Sequence, residues 1–250
     1  MQMRSALLTM TMVWAPLAAH GQQQTEPLRF SASTSWSMPY ADVREDRLVG
    51  GIVFDLTQAI GAALHLPVRY VVLPRKRIEA AAQAGELDVR CYFNPAWTQN
   101  PGQYIFSNPL FDASDVLVGA RSGTGTITDL SQLPHGATVG TVLGFLYPAL
   151  DKRFQDHSLL REDAVDQEKV LMKLGRARTP YAVVNTRVLA WFKRQSGSEA
   201  IADWAVPLER ADFYCGVLKS STQAKPQAVV DAINRLKASG QIDRILQNYQ

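Results

Sequence analysis

Strand-like and helix-like runs alternate over residues 28–92, and that alternation restricts the fold more than any other feature of the chain. A strand is expected over 28–32, followed by a loop carrying Trp36, Pro39 and Tyr40. Gly50-Gly51 then turns the chain into a helix over 52–64, in which Val53, Leu56, Ile60 and Leu64 recur at helical spacing. A strand over 68–73 comes next, Pro74 opens a helix running to Ala84, and residues 87–92 form another strand. This β-α-β-α-β order implies an α/β fold with a mostly parallel sheet covered by helices.

The pattern breaks over residues 85–111. Gly85 closes the alanine-rich helix, and Asn94-Pro95, Asn100-Pro101 and Asn108-Pro109 prevent any long regular element. The irregular stretch carries Tyr92, Phe93, Trp97, Tyr104, Phe106 and Phe111, more aromatic surface than a solvated loop tolerates unless it packs or binds something. Together these rings favour a pocket wall, although any single one could simply tuck into the core.

A second unit starts after a strand over 116–120, at the Gly123-Thr124-Gly125 break. It reads as a short helix from Thr128, a strand over 137–141, helices over 144–154 and 165–174, a strand over 181–185, a helix over 186–194 and a strand near 205–208. One more strand over 213–218 leads to a terminal amphipathic helix from Pro226, interrupted at Gly240. In open α/β sheets ligands sit past the carboxyl ends of strands, and the residues there are Trp36, the 92–97 segment, the 141–145 segment and Asn185.

Residues 1–21 read as a secretory leader: Arg4, an apolar run over 6–19, then Ala19 and Gly21 before a cut ahead of Gln22. A soluble, exported mature protein is therefore expected, with the periplasm as its compartment. In such a compartment Cys91 and Cys215 are expected to be bonded to each other. The formal charge of +3, with 26 basic residues scattered among 23 acidic ones, gives no support for nucleic acid as a partner. Four dispersed histidines and two distant cysteines make no metal-binding pattern, so no metal and no cofactor are expected. No phosphate loop is expected either, since Gly123-Thr124-Gly125 lacks a following lysine.

From Leu28 onward the chain resembles the periplasmic solute-binding proteins of family 3, whose best-known members bind polar amino acids for ABC transporters. The landmarks that carry the resemblance are LRFSASTSWSMPY, RLVGGIVFDLTQAIGAAL, AQAGELDV, YIFSNPLFDASDVLVGAR, ITDLSQL before ATVGTVLGF, YAVVNTRV, FYCGVLKSS and INRLKASGQIDRI, in that order. The resemblance implies a type II, two-lobed Venus-flytrap fold. Lobe 1 would take residues 27–119 and 209–250, lobe 2 residues 120–208, with two crossing strands as the hinge. It also implies that the strand holding Cys215 returns antiparallel beside the strand holding Cys91, within reach of a disulfide.

This sequence departs from the family where amino acids are read. The family's loop after the third strand supplies a threonine hydroxyl and an arginine that clamps the α-carboxylate; without gaps from Asp88, those places fall on Trp97 and Asn100. The family's glycine-threonine pair at a helix N-terminus becomes Gly144-Phe145, and the aspartate that meets the α-ammonium becomes Asn185. Losing both complementary charges implies that a standard α-amino acid is not the main ligand. The expected pocket combines the rings of Trp36, Tyr40, Tyr92, Phe93, Trp97 and Phe145 with Asn94, Asn100, Asn185 and Thr141, suiting a less polar, ring-bearing compound. Arg75 either lies with Lys76 and Arg77 on a solvated helix face beside Glu79, or turns into the cleft and meets an acidic ligand.

Three functions stay open. The first is a monomeric binding protein delivering a small molecule to an ABC permease. The second is a ligand-sensing module for a separate membrane receptor or kinase. The third is an enzyme resembling the periplasmic cyclohexadienyl dehydratases, which would need an acid or base in the cleft. The inferred pocket holds rings and amides, and Asp88 and Glu86 read as structural, so a non-enzyme is expected.

Overall fold

The computed structural model describes residues 26–196 and 199–250, and the leader over 1–21 lies outside them. In chain order, β1 (Leu28–Ser33) is followed by a hairpin of β2 (Asp42–Arg44) and β3 (Arg47–Gly50), then α1 (Ile52–Leu64), β4 (Val68–Leu73), α2 (Arg75–Gln83) and β5 (Val89–Phe93). The alternation is present, with the hairpin inserted where the sequence suggested only a loop. Its turn residues Glu45 and Asp46 both have positive φ, 49° and 56°, the twist that two-residue hairpin turns need; lacking glycine or asparagine there, the sequence carries no signal for it. Gly51 has φ 99°, and a Cβ there would lie 2.7 Å from the Ala41 Cα, so this entry to α1 requires glycine. Val53, Leu56 and Ile60 then face inward, where α1 packs on α6 (given below), each large apolar side chain contributing about 1.5–3 kcal/mol.

Two 3-10 turns, Pro95–Trp97 and Pro101–Gln103, occupy the proline-rich stretch before β6 (Tyr104–Phe106) and β7 (Phe111–Ala120). Then come a 3-10 turn at Leu130–Gln132, β8 (Ala137–Val142), α3 (Pro148–Gln155), β9 (Leu159–Ala164), α4 (Gln167–Gly175), β10 (Tyr181–Asn185), α5 (Thr186–Ser196), β11 (Ile201–Leu218), α6 (Pro226–Ala238) and α7 (Gln241–Gln247). The helix expected over 144–154 begins only at Pro148, because Gly144 is left-handed at φ 82° and proline suits the first helical position. Strand β9 was not expected: its Arg161, Glu162 and Asp163 mask the pattern, as charges on an edge strand do. The two late strands prove to be one, β11, whose irregular register hides its continuity.

The main sheet runs β4-β1-β5-β11-β7-β10-β8-β9, with β6 also on β11. Strand β1 is parallel to β4 and β5, and β8 is parallel to β9 and β10, giving two parallel halves. Between them β7 and β11 run antiparallel to each other, and β11 passes from β7 in one half to β5 and β6 in the other. The result is the two-lobed α/β fold with helices flanking each half. Cys91 on β5 and Cys215 on β11 form a disulfide that closes a separation of 124 residues.

Candidate functional site

The site is shaped by two places where strand register slips. On β5, Phe93 faces Tyr214 and Arg90 faces Gly216, so Cys91 and Tyr92 together oppose the single Cys215. Tyr92 absorbs the extra residue with φ 54°, a left-handed conformation that an aromatic side chain seldom adopts. Strand alternation is thereby shifted by one. Cys91 and Tyr92 both join the central core, whereas Phe93 packs on the opposite side against Tyr104 and Phe106, under the Arg90 guanidinium at 3.8 Å. Tyr92 stacks on Tyr40 at 4.2 Å and on Phe213 at 4.5 Å, and meets Trp36 edge-on at 5.2 Å.

The second slip lies where β11 crosses β7. Pro207 faces Val116 and Arg210 faces Ser114, which leaves Leu208 and Glu209 opposite Asp115. From the other side β10 sets Asn185 directly across from Asp115, and the Asn185 Nδ2 donates to Asp115 Oδ1 at 3.3 Å. Burial pushes the Asp115 carboxyl up to about 6; the Asn185 bond opposes that shift and Glu209 adds to it. Asn185 is held on every side. Its N–H donates to Gln167 Oε1 at 2.7 Å, and its Oδ1 accepts from the Tyr40 hydroxyl at 2.9 Å and the Arg187 N–H at 3.1 Å.

Between these two places lies a cavity of about 80 Å³, room for about six waters. Tyr92, Trp97, Phe145 and Phe213 supply its rings, Asn185 and Gln167 its amides, and Arg75, Asp115 and Glu209 its charges. Ala113, Ala211 and Leu146 complete the lining. Arg75 is the first residue of α2, and its guanidinium lies 4.9 Å over Phe145 and 5.6 Å from Trp97. Among the described residues it has neither an ion pair nor a hydrogen bond, whereas Arg29, Arg90 and Arg161 are each paired with a carboxylate. Burial, and then the Arg90 charge, hold its pKa below the ordinary arginine value. Contacts also join the two halves: Tyr40 on Asn185, the Glu168 N–H donating to Ser37 Oγ at 3.2 Å, and Lys76 against the Gly144 turn.

Of the residues singled out in the sequence, Arg75, Tyr92, Trp97, Phe145 and Asn185 meet at this cavity. Trp36 and Tyr40 stand behind Tyr92 as a buried second layer. Four others are not brought to the lining. Phe93 is carried to the far side by the bend at Tyr92. Asn94 accepts from the Ala96 N–H and donates to the Asp212 carbonyl, both at 2.8 Å, so it caps the first 3-10 turn. Asn100 heads the second turn, its N–H on Thr98 Oγ1 and its carbonyl on the Gln103 N–H. Thr141 is fully buried and donates to Asp163 Oδ1 at 2.7 Å.

Sequence reasoning passed over Asp115, Glu209, Gln167 and Phe213. Asp115 left one signal, a carboxylate immediately before the apolar run of β7; Glu209 left none, because only the register slip aims it. Asp88, read as structural, is buried and held by the Arg29 guanidinium and Ser221. Among the described residues no group of three or more His, Cys, Asp or Glu could hold a metal, and no helix is long and apolar enough to cross a membrane.

The model of the bacterial extracellular solute-binding proteins, family 3, matches residues 31–250. An ancestral arginine-binding protein bound to arginine is similar in structure at 21% identity and TM-score 0.72, over 89% of this chain and 97% of its own. The GluR0 ligand-binding core from Nostoc punctiforme, in complex with L-glutamate, is similar at 16% identity and TM-score 0.70, over 89% and 99%. The ancestral amino acid-binding protein AncCDT-1, a precursor of cyclohexadienyl dehydratase, is similar at 15% identity and TM-score 0.70, over 89% and 95%. At these identities the likeness concerns the fold. A search of curated proteins found no match to the sequence.

Proposed function

The chain belongs to the bacterial extracellular solute-binding proteins of family 3, and from that membership we propose that it captures a small ring-bearing metabolite in the periplasm and delivers it to an ABC importer. One observation carries this reading: the cavity takes its walls from both halves of the molecule and contains an arginine with no ion pair among the described residues. Proposed lobes 27–119 with 209–250, and 120–208, meet at β7 and β11, and a ligand that touches both favours the closed arrangement over the open one. Arg75 supports an anionic group on the ligand, and the Tyr92, Trp97, Phe145 and Phe213 rings support a flat body.

The ligand we infer is not a standard α-amino acid. The place of the family's carboxylate clamp is held by Asn100, which caps a turn instead of facing the cavity, and the place of its ammonium partner by the uncharged Asn185. A thermal-shift screen of the mature, oxidised protein tests both parts, since a ligand at a hundred times its Kd stabilises the native state by about 2.7 kcal/mol. A rise of several degrees with a ring-bearing carboxylate is expected. Silence across amino acids, aromatic acids, small peptides and polar metabolites would sink the capture reading; a rise with glutamine, arginine or histidine would sink the ligand class alone. Uptake of the ligand by cells that depends on this chain separates delivery to an importer from service to a membrane sensor.

A second reading is favoured by Asp115. A half-buried carboxyl with its pKa raised to about 6, facing a cavity, is the acid or base that an enzyme resembling cyclohexadienyl dehydratase would need. Turnover of a ring-bearing acid by the purified protein, lost in Asp115→Asn, would replace capture by catalysis.

A further inference from the structure

The cavity is lined by unlike charges, and no ion pair among the described residues joins Arg75 to Asp115. Arg75 has no ion pair among the described residues; Glu79, one turn along α2, is engaged by Arg90 at 2.7 Å and by Thr98 at 2.8 Å. Asp115 receives one hydrogen bond, from the Asn185 amide on Oδ1, and its Oδ2 has no partner among the described residues. That amide cannot be reversed, because Tyr40 and the Arg187 N–H both donate to the Asn185 oxygen. The contacts leading from one charge to the other run through rings: Arg75 on Trp97, Trp97 on Phe213 at 5.4 Å, Phe213 on Tyr92, Tyr92 on Tyr40, and Tyr40 on Asn185.

Building on the capture reading, we propose that the ligand carries its two charges across a flat ring, an anionic group on Arg75 and a cationic or N–H-rich group on Asp115. Closing a guanidinium that has no ion pair into a small cavity with the Asp115 carboxylate, itself beside that of Glu209, is unfavourable unless something neutralises each. A purely anionic ligand satisfies Arg75 and leaves Asp115 exposed to a like charge; a purely cationic one does the reverse. An α-amino acid bears both charges on neighbouring atoms, so reaching one pole leaves the other unmet. A single ring between the poles lies against Tyr92 and Phe213. Asp115 is then the residue that sets selectivity for the second pole, and the raised pKa of its carboxyl fits a group awaiting a cation.

The test is calorimetry on the mature, oxidised chain with four probes: benzoate, benzylamine, 4-(aminomethyl)benzoate and L-phenylalanine. The two-pole probe is expected to bind about tenfold more tightly than benzoate or phenylalanine, the return on one charge-assisted hydrogen bond. Asp115→Asn should abolish that preference while leaving benzoate binding in place. Arg75→Met should lose both ligands, and Arg75→Lys should restore benzoate weakly. Near pH 6 the two-pole probe should release protons from Asp115, giving a buffer-dependent enthalpy that is absent in Asp115→Asn. Equal binding of benzoate and 4-(aminomethyl)benzoate, tighter binding of phenylalanine, or no binding of any probe overturns the inference. If other compounds in the thermal-shift screen bind while the two-pole probe does not, capture stands and only this inference falls; silence in both experiments removes both.

Discussion

The register slip at Cys91 and Tyr92 and the slip at Leu208 and Glu209 both set two residues against one, yet the protein compensates them in opposite ways. At the first, the extra residue is locked by a disulfide and a ring stack in which Tyr92 lies 4.2 Å from Tyr40 and 4.5 Å from Phe213. At the second, the slip aims two carboxylates at a cavity with one amide to receive them. The same backbone device thus builds a rigid wall at one place and sets a carboxylate without an ion pair among the described residues at another. A left-handed Tyr92 persists because its surroundings over-determine it, whereas the half-buried Asp115 has one hydrogen bond, from Asn185, and no ion pair among the described residues.

The largest expected effect tests the rigid end. Replacing both cysteines by serine removes a constraint on a loop of 124 residues and should lower stability by about 4–5 kcal/mol in urea melts. A loss below about 1 kcal/mol would mean that this slip needs no staple and that the contrast is false. Next comes Tyr92→Ala, which deletes the central ring and should lower stability by about 3–4 kcal/mol.

Asp115→Asn should act in the opposite direction. A carboxyl whose pKa is raised in the folded state holds its proton more tightly there than in the unfolded chain. Wild-type stability is therefore lost as pH rises from the unfolded value near 4 through about 6. The asparagine variant escapes that loss, so it should be more stable by about 2 kcal/mol above pH 7 and equal to wild type below pH 4. Denaturation at both pH values checks the sign, and a destabilised variant at pH 7.5 would show that Asp115 is structurally satisfied. The smallest effect belongs to Tyr40→Phe, which removes one hydroxyl from Asn185 and should cost about 1 kcal/mol in the same melts.

Much of the fold was legible because local patterns agree with it. The apolar spacing of α1 and the run of β4 lie where the sequence placed them, and the cysteine pair bonds as expected. The site was legible only in part. Trp97, Phe145 and Asn185 lie past strand ends and line the cavity, but the bend that parts Phe93 from Tyr92 has no sequence signature. In the sequence Arg75 has two surroundings open to it, a helix face beside Glu79 or the cleft. The choice rests on a third residue, Arg90, which engages Glu79 from β5 and leaves Arg75 without a carboxylate. Asp115 and Glu209 escaped because their direction depends on how β11 slips against β7, a property of two strands some ninety residues apart.

Short-range chemistry settled the order of strands and helices: helical spacing, proline at helix starts and glycine at turns act over a few residues and need no partner. The family and its two-lobed fold follow from that order. Which residues face the cavity, and which of its charges stay unpaired, was decided only by the tertiary structure. A side chain's neighbours depend on register between distant strands, and one extra residue in a ladder moves everything beyond it to the other face.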